Sequence, residues 1–502
     1  MSSQVDETPV PGGPVAAVVV LAAGEGKRMN SSRSKLLHEL AGHSMLSYAI
    51  DAATALQPEH IVVVVGHLRE QVEAHLAEIA PHVRTAVQTE QLGTGHAAQV
   101  ALADLGALAG EVVVTMGDVP MLTSETLTGL VGEHRRRGAD ATVLTAQVLD
   151  PTGYGRIVRD AAGSVDRIVE HRDANQVERE ITEINSGIYV FGADALGAGL
   201  AQIAPDNDQG ELYLTDVLRH LRAAGRGVEA YTVEDLWQTE GVNDRVQLAR
   251  MGVEMNRRIL EHWMRAGVTV TDPATTWVHA SVDLGRDATL LPGVSLEGAT
   301  TIGAGATIGP DTTLVDVEVG EGASVCRTHG SLSVIGAGAS VGPYAYLRPG
   351  TTLGTGGKIG TFVETKNAQI GAGAKAPHLS YVGDAVIGDG ANIGAGVIFA
   401  NYDGVTKATS HVGTASFVGS NSVLAAPVQV ADGAYVAAGS TITGDVGPGE
   451  LAVSRGRQRN VPGWVARKRA GTKTARAAEA ALAQAAARQE RQEASGLEGE
   501  QQ

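Results

Sequence analysis

The chain has 502 residues, of which 43% are hydrophobic, 19% charged and only 4% aromatic, with 64 glycines. That length exceeds what one hydrophobic core supports, so two or more domains are expected. A formal net charge of −17 argues against non-specific binding to nucleic acid and against docking on an anionic membrane. The single cysteine, Cys326, has no intramolecular disulfide partner and points to a reducing compartment. No stretch reaches the ~20 apolar residues of a membrane helix, so a soluble, cytoplasmic protein is expected.

Residues 1–14 are polar, acidic and rich in Pro and Gly, which reads as a disordered leader. From 15 to about 241 the texture changes. Apolar runs at 15–23, 60–66 and 111–118 alternate with helical patterns over 45–57, 96–105 and 124–137. Such alternation predicts an α/β doubly wound domain with a parallel sheet buried on both faces. Ligands in these sheets bind beyond the carboxyl ends of the strands.

The polar strings stand at those ends. The first apolar run enters LAAGEGKRM (21–29), followed by Lys35. Glycines and small residues there let backbone N–H groups approach a phosphate or a base edge, and Arg28 and Lys35 supply positive charge. The string lacks the third Gly of a dinucleotide fingerprint and the GK[ST] of a Walker loop. QTEQLGTGHA (88–97) reads as a loop capped by Thr94 ahead of a helix. MGDVP (116–120) ends an apolar strand, where Asp118 offers oxygen ligands suited to Mg²⁺. GYGRIV (153–158), VEHRDA (169–174), INSGIY (184–189) and EGVNDR (240–245) follow.

A single helix is predicted over 242–267, with Val242, Val246, Ala249, Val253, Leu260 and Met264 as its apolar stripe and Asn243 at its start. Beyond it the chain repeats one short phrase. IGAGAT (302) is followed by IGPDTT (308), IGAGAS (335) by VGPYAY (341), and LGTGGK (353) by IGTFVE (359). The longest phase runs through Val412, Val418, Leu424, Val430, Val436 and Ile442, always six residues apart. A six-residue period fits neither a helix nor an amphipathic strand; it fits a parallel β-helix with one short strand per phrase. Residues 268–465 are read as this solenoid and 466–502 as a mobile tail; its Ala/Glu/Gln/Arg-rich part, 472–502, could form a lone helix but has little to bury.

The solenoid's interruptions carry its polar side chains. LRPGT holds Arg348, FVETKNA holds Glu364 and Lys366, APHLSYVGDA holds His378 and Tyr381, and ANYDG holds Asn401 and Tyr402. Regularity stabilises a solenoid, so a break marks a functional site. His378 lies in one such break and is the candidate general base, while most of the 15 histidines read as turn residues with no role. With an intrinsic pKa near ~6.5, histidine suits the removal of a proton from an amine.

The seven N-terminal strings, in this order and spacing, resemble the sugar-1-phosphate nucleotidyltransferases, whose signature is LAAGxGTRM. Here Lys27 replaces the family's Thr and Ser34 the Pro before its lysine. The repeat resembles the left-handed β-helix of hexapeptide acyltransferases, with Pro-His-Leu-x-Tyr around His378 matching their catalytic segment. Over residues 15–465 the combination resembles a family of bifunctional bacterial enzymes that join N-acetylglucosamine-1-phosphate uridyltransferase to glucosamine-1-phosphate N-acetyltransferase.

That resemblance implies UDP-N-acetylglucosamine synthesis for peptidoglycan and cell-envelope precursors, with acetyl-CoA and UTP as co-substrates, Mg²⁺ as cofactor, and a homotrimer with acyl-CoA in the groove between prisms. It implies that Leu21, Ala22, Ala23, Gly24, Gln88, Gly93, Thr94, Met116 and Gly117 hold the uridine nucleotide. Arg28 and Lys35 would meet the triphosphate, Gly155, Glu170 and Asn185 the amino-sugar, and Asp118 and Asn243 the metal. For acetyl transfer it implies His378 as base oriented by Glu364. Arg348, Lys366, Tyr381 and Asn392 would hold the sugar phosphate; Asn401 and Tyr402 would border both substrates. Ala395, Ser420, Ala438 and Arg455, with Trp464 beyond, would contact acetyl-CoA.

Two rival readings are a glucose-1-phosphate adenylyl- or uridylyltransferase with a β-helical tail used only for regulation, and a non-catalytic β-helical scaffold or regulatory subunit that binds nucleotide-sugar. The His378–Glu364 and Arg348–Lys366 sets argue against the first. The presence of both Arg28 and Asp118 argues against the second.

Overall fold

The computed structural model describes residues 13–499; all but the last two positions of the expected leader lie outside this range. In the N-terminal half, strands Val228–Val233, Ala141–Gln147, Glu183–Gly192, Glu111–Met116, Ala17–Ala22, His60–Val65 and Arg84–Val87 stand side by side in that order. Valines dominate the three central strands and are buried on both faces, because helices cover each side of the sheet and β-branched residues suit its pleated surface.

The sheet is mixed rather than all parallel. Glu183–Gly192 runs antiparallel to both of its neighbours, whereas Ala17–Ala22 is parallel to His60–Val65 on one side and Glu111–Met116 on the other. The chain leaves the first strand toward one edge and returns on its other side. This reversal opens a crevice at the carboxyl ends of the central strands, where Leu21–Gly24 and Met116–Asp118 lie.

The connecting helix spans Arg245–Arg265, with Asp244 as N-cap accepting from the backbone N–H groups of Val246 and Gln247. Asn243 therefore precedes the helix instead of opening it. The predicted stripe is also corrected: Val246, Val253 and Met264 are exposed, while Met251, Met255, Leu260 and Trp263 are buried. The N-terminal part of this helix packs on Leu40, Met45 and Met121, and its last turns pack on the first coils of the solenoid. Two successive partners thus select a face that does not follow the valines. Asn256 fastens the junction, donating to Thr276 O at 2.8 Å and accepting from Val278 N–H at 3.0 Å.

The C-terminal half is a parallel β-helix of the left-handed kind. Strands two to eight residues long pair in parallel with the equivalent strand one coil onward. The aliphatics that recur mostly at six-residue spacing between Ile302 and Ile442, with phase shifts such as the five residues from Leu314 to Val319, form one continuous buried core. Each fully buried Val, Leu or Ile contributes about 1.5–3 kcal/mol relative to exposure, which is how many very short strands hold without a conventional core. After the last coil come helices Trp464–Lys468 and Lys473–Gly499, so the described part of the expected tail is helical.

Candidate active sites

Two adjoining cavities occupy the crevice of the α/β half. The first, about 300 Å³, is lined by Leu21–Gly24, Lys35, Gln88, Gln91, Gly93, Thr94, Met116, Asp118 and Glu211. The second, about 200 Å³, is lined by Gly155, Glu170, Asn185, Tyr189 and Thr215. Leu21, Thr94 and Met116 belong to both walls, so the cavities form one bent cleft.

In the first cavity Gln88 is buried; its Nε2 lies 3.1 Å from both Gly93 O and His96 Nδ1. Its Oε1 remains as an acceptor for a ring N–H. Gly93 adopts φ +106°, and a Cβ there would lie 2.6 Å from Leu212 O, so only glycine lets the segment before Tyr213 close over the loop. Thr94 is the first residue of helix Thr94–Leu105 and not its cap; Gly93 takes that place. The Thr94 hydroxyl instead accepts from Leu214 N–H at 3.1 Å.

On the cavity floor the Lys35 ammonium donates to the Asp118 carboxylate and, at 3.4 Å, to Asn243 Oδ1. Side-chain exposures of 13% for Lys35 and 16% for Asp118 make this a sheltered pair. Arg28 differs: it is exposed, on the short helix Lys27–Met29, and does not line the cavity.

In the second cavity Asn185 Oδ1 accepts from Tyr189 OH at 2.9 Å and Gly187 N–H at 3.0 Å, leaving Nδ2 as the donor it offers. Asn185 N–H also donates to Gly155 O at 2.9 Å, which holds these two residues in register. Burial pushes the Glu170 carboxyl above its ordinary value; the Thr215 hydroxyl, at 3.4 Å, opposes the shift. Burial likewise raises the Tyr189 phenol.

The solenoid residues expected to serve acetyl transfer fall into two main groups. His378, Ala395, Ser420 and Ala438 occupy the same corner on four successive coils, as the pairings Lys375↔Asn392, Ile393↔Val418 and Val418↔Val436 require. Coils are spaced by about 4.8 Å, so these residues form a straight column. Backbone bonds from Gly396, Asn421 and Gly439 to the carbonyls of His378, Ala395 and Ser420 run along it. Arg455 closes its far end by donating to Ala438 O at 2.9 Å.

The second group lies on the adjoining face. Glu364 pairs in register with Tyr381, and Arg348 and Lys366 follow on neighbouring coils. Asn392 lies apart from this group, half-buried on the strand face that leads to the His378 corner, in register with Lys375 and Phe417. Glu364 accepts from Arg348 at 3.0 Å, and the hydrogen bond expected between Glu364 and His378 is not made. The Tyr402 hydroxyl donates to Gly404 O at 2.6 Å and so folds onto its own loop.

Within this group Lys366, Asn367 and Asn401 converge on Asp384, a residue the sequence reading passed over, as it did Gln91, Glu211, Tyr189 and Thr215. The string YVGDA, where the aliphatic phase breaks, was the available sign of Asp384.

Residues 18–184 match the MobA-like NTP transferase domain. Bifunctional protein GlmU of Mycolicibacterium gilvum is 55% identical over 470 residues, covering 93% of this chain and 94% of its own. The chain belongs to the bifunctional GlmU family. Its relative in Streptomyces avermitilis is 55% identical over 468 residues, covering 93% of this chain and 97% of that one. Among solved structures, UDP-glucose pyrophosphorylase complexed with UDP-glucose covers 49% of this chain and 99% of its own, at 17% identity and TM-score 0.40. Membership makes the chain a two-activity transferase, an acetyltransferase and a uridyltransferase that together make UDP-N-acetylglucosamine. No described helix is long and apolar enough to cross a membrane.

Proposed function

We propose that the two reactions are divided between the halves, with uridylyl transfer in residues 15–241, completed by Asn243, and acetyl transfer in residues 268–465. Residues 242–267 join them. The observation that carries this division is the presence of two separate polar assemblies: the bent cleft at Leu21, Thr94 and Met116, and the His378 column in the solenoid.

In the cleft, uridine fits the larger cavity, where Gln88 Oε1 accepts from the pyrimidine ring and Ala22, Ala23 and Gly24 bring the backbone close. The amino-sugar fits the smaller cavity, against Gly155, Glu170 and the Asn185 amide. A phosphate oxygen of N-acetylglucosamine 1-phosphate attacks the α-phosphorus of UTP; the bond to the β-phosphate oxygen breaks and pyrophosphate leaves. The attacking oxygen is already ionised, so no side-chain base is needed, and the protein's work is positioning and charge neutralisation. Lys35 serves that end inside the cavity, and Arg28, exposed outside its lining, would meet the part of the triphosphate that extends beyond it.

The residues present fit Mg²⁺. Asp118 and Asn243 converge closely enough to share one cation, the Lys35 ammonium, and two hard oxygens leave the remaining positions to water and phosphate. When bound there, Mg²⁺ would neutralise triphosphate charge.

In the solenoid, Arg348, Lys366, Tyr381 and Asn392 hold glucosamine 1-phosphate, and acetyl-CoA lies along Ala395, Ser420, Ala438 and Arg455. The amine of glucosamine 1-phosphate attacks the thioester carbonyl, His378 takes the amine proton, the carbon–sulfur bond breaks, and that proton passes to the departing sulfur so that CoA leaves as its thiol. Asn401 and Tyr402 border the two substrates. The exposed ridge of Tyr344, Phe362 and Leu379, running up to His378, supports assembly as a homotrimer in which a second prism covers it. A cytoplasmic location is part of the same reading.

The test is separation of the activities by substitution. His378→Ala should lower acetyl transfer by about 10²–10⁴-fold and leave uridylyl transfer intact; Asp118→Ala should do the reverse. Loss of both activities from either folded variant defeats the division.

A further inference from the structure

The corner of the solenoid that carries Asp384 is elsewhere open. Asp316, Leu332, Asn367 and Asp384 all adopt positive φ, between 45° and 54°, on coils of this side of the prism. Leu332 is 57% exposed, whereas Asp384 is only 8% exposed. What accompanies the difference is the insertion 401–409. Asp403 folds it tightly by accepting from Val405 and Thr406 N–H at 2.8 and 2.7 Å, and Asn401 at its root donates into the Asp384 carboxylate.

A carboxylate removed from water is costly unless donors replace the water. Here they do. Asp384 Oδ1 accepts from Asn367 Nδ2 at 2.9 Å, and Oδ2 accepts from Asn401 Nδ2 and from Lys366 Nζ at 3.3 Å. Burial alone would push this carboxyl up, but the bonds from Asn367, Asn401 and Lys366 outweigh it and hold the group below its ordinary value. Asn401 Nδ2 also lies 3.4 Å from Tyr381 OH. One charge therefore gathers Lys366, Asn367 and Asn401 directly and, through Asn401, Tyr381.

We infer that Asp384 is a positioning residue for acetyl transfer, setting the Lys366 ammonium and the Asn401 loop in the relative placement that receives the sugar phosphate. The inference rests on the proposed assignment of Lys366 and Tyr381 to that substrate. Asp384 does not itself meet substrate, since its oxygens are taken by protein donors and it lies beneath the insertion. A freed lysine would keep its charge yet lose its fixed direction, which weakens recognition of a phosphate by misplacement rather than by loss of attraction.

The test uses the full chain and steady-state acetyl transfer. Asp384→Asn keeps the shape and one acceptor but loses the charge; the KM for glucosamine 1-phosphate should rise about tenfold, with the KM for acetyl-CoA within about twofold. In a Lys366→Met background the same change should add less than about twofold, because residues acting through one another are not additive. Asn367→Ala, at an exposed corner, loosens the same carboxylate and should raise the same KM by about two- to threefold; it decides the matter if Asp384→Asn fails to fold. An unchanged KM for the sugar phosphate in the folded variants overturns the inference, as does a fully additive effect with Lys366→Met. Acetyl transfer that survives His378→Ala would instead sink the site assignment beneath it.

Discussion

The ammonium of Lys35 lies between the Asp118 carboxylate and the Asn243 amide oxygen and donates to both. These three residues come from parts of the chain up to 208 positions apart, so the contact also joins the first loop of the α/β half to the segment that enters the connecting helix. A lysine in this place competes with any metal ion for the same two oxygens.

That competition has a measurable consequence. Lys35→Ala should bind Mg²⁺ about three- to tenfold more tightly in the absence of nucleotide, because one competing charge near the carboxylate is gone. Uridylyl transfer should still fall, by about 10²-fold, since the triphosphate loses a positive partner. Calorimetric titration with MgCl₂ reads the first effect. An affinity equal to or weaker than that of the unaltered protein would show that Lys35 does not contest the site.

Chelation should divide the two activities. EDTA should abolish uridylyl transfer, with full recovery on adding Mg²⁺, because in the proposed assignment a cation held by Asp118 and Asn243 neutralises the triphosphate charge. Acetyl transfer involves no phosphoryl chemistry and should proceed unchanged. A chelator-sensitive acetyltransferase that retains its fold would contradict the assignment of the metal to the cleft alone.

If neighbouring prisms complete the acetyltransferase site, inactive chains should rescue one another. His378 and Arg455 stand at opposite ends of the column and are 77 residues apart. Verified mixed trimers of His378→Ala and Arg455→Ala chains should recover part of the acetyl transfer that each lacks alone. Mixed trimers without activity would place every contributing group in one chain.

Stability should decline as the pH falls below about 6.5, the ordinary imidazole value. Burial holds the imidazoles of His38, His75, His134 and His279 below that value in the folded chain. In the unfolded chain they protonate first, so acid favours unfolding through this window, and stability is full above it. Carboxylates held low, such as Glu111 bonded to Arg135, lose their contribution only at more acidic pH. Denaturant titration at about pH 7.5 and pH 5.5 measures the slope. His134→Asn, which removes the imidazole beside Thr142 Oγ1, should reduce that slope; an unchanged slope would exclude His134 as a contributor.

The local periods were legible without coordinates. A six-residue aliphatic repeat has one economical solution, in which each aliphatic faces the prism interior, and Ile302 through Ile442 are buried as that pattern demands. The valine runs likewise mark the central strands, and the strings at their ends line the cleft: Leu21–Gly24, Gln88, Gly93, Thr94, Met116 and Asp118. The connecting helix was harder, because its two ends pack on different partners and its valines at 246 and 253 face outward.

What the sequence by itself determined was the identity of the repeating units and the chemical groups at their ends, since side-chain period and residue type are local properties. The tertiary structure decided which groups meet. Strand Glu183–Gly192 turns antiparallel and brings Asn185 beside Gly155. Glu364 meets Arg348 rather than His378, and Asp384 gathers Lys366, Asn367 and Asn401. Each of these depends on how strands or coils stack and on how an insertion folds back, and those distances are set by packing between segments remote in the chain.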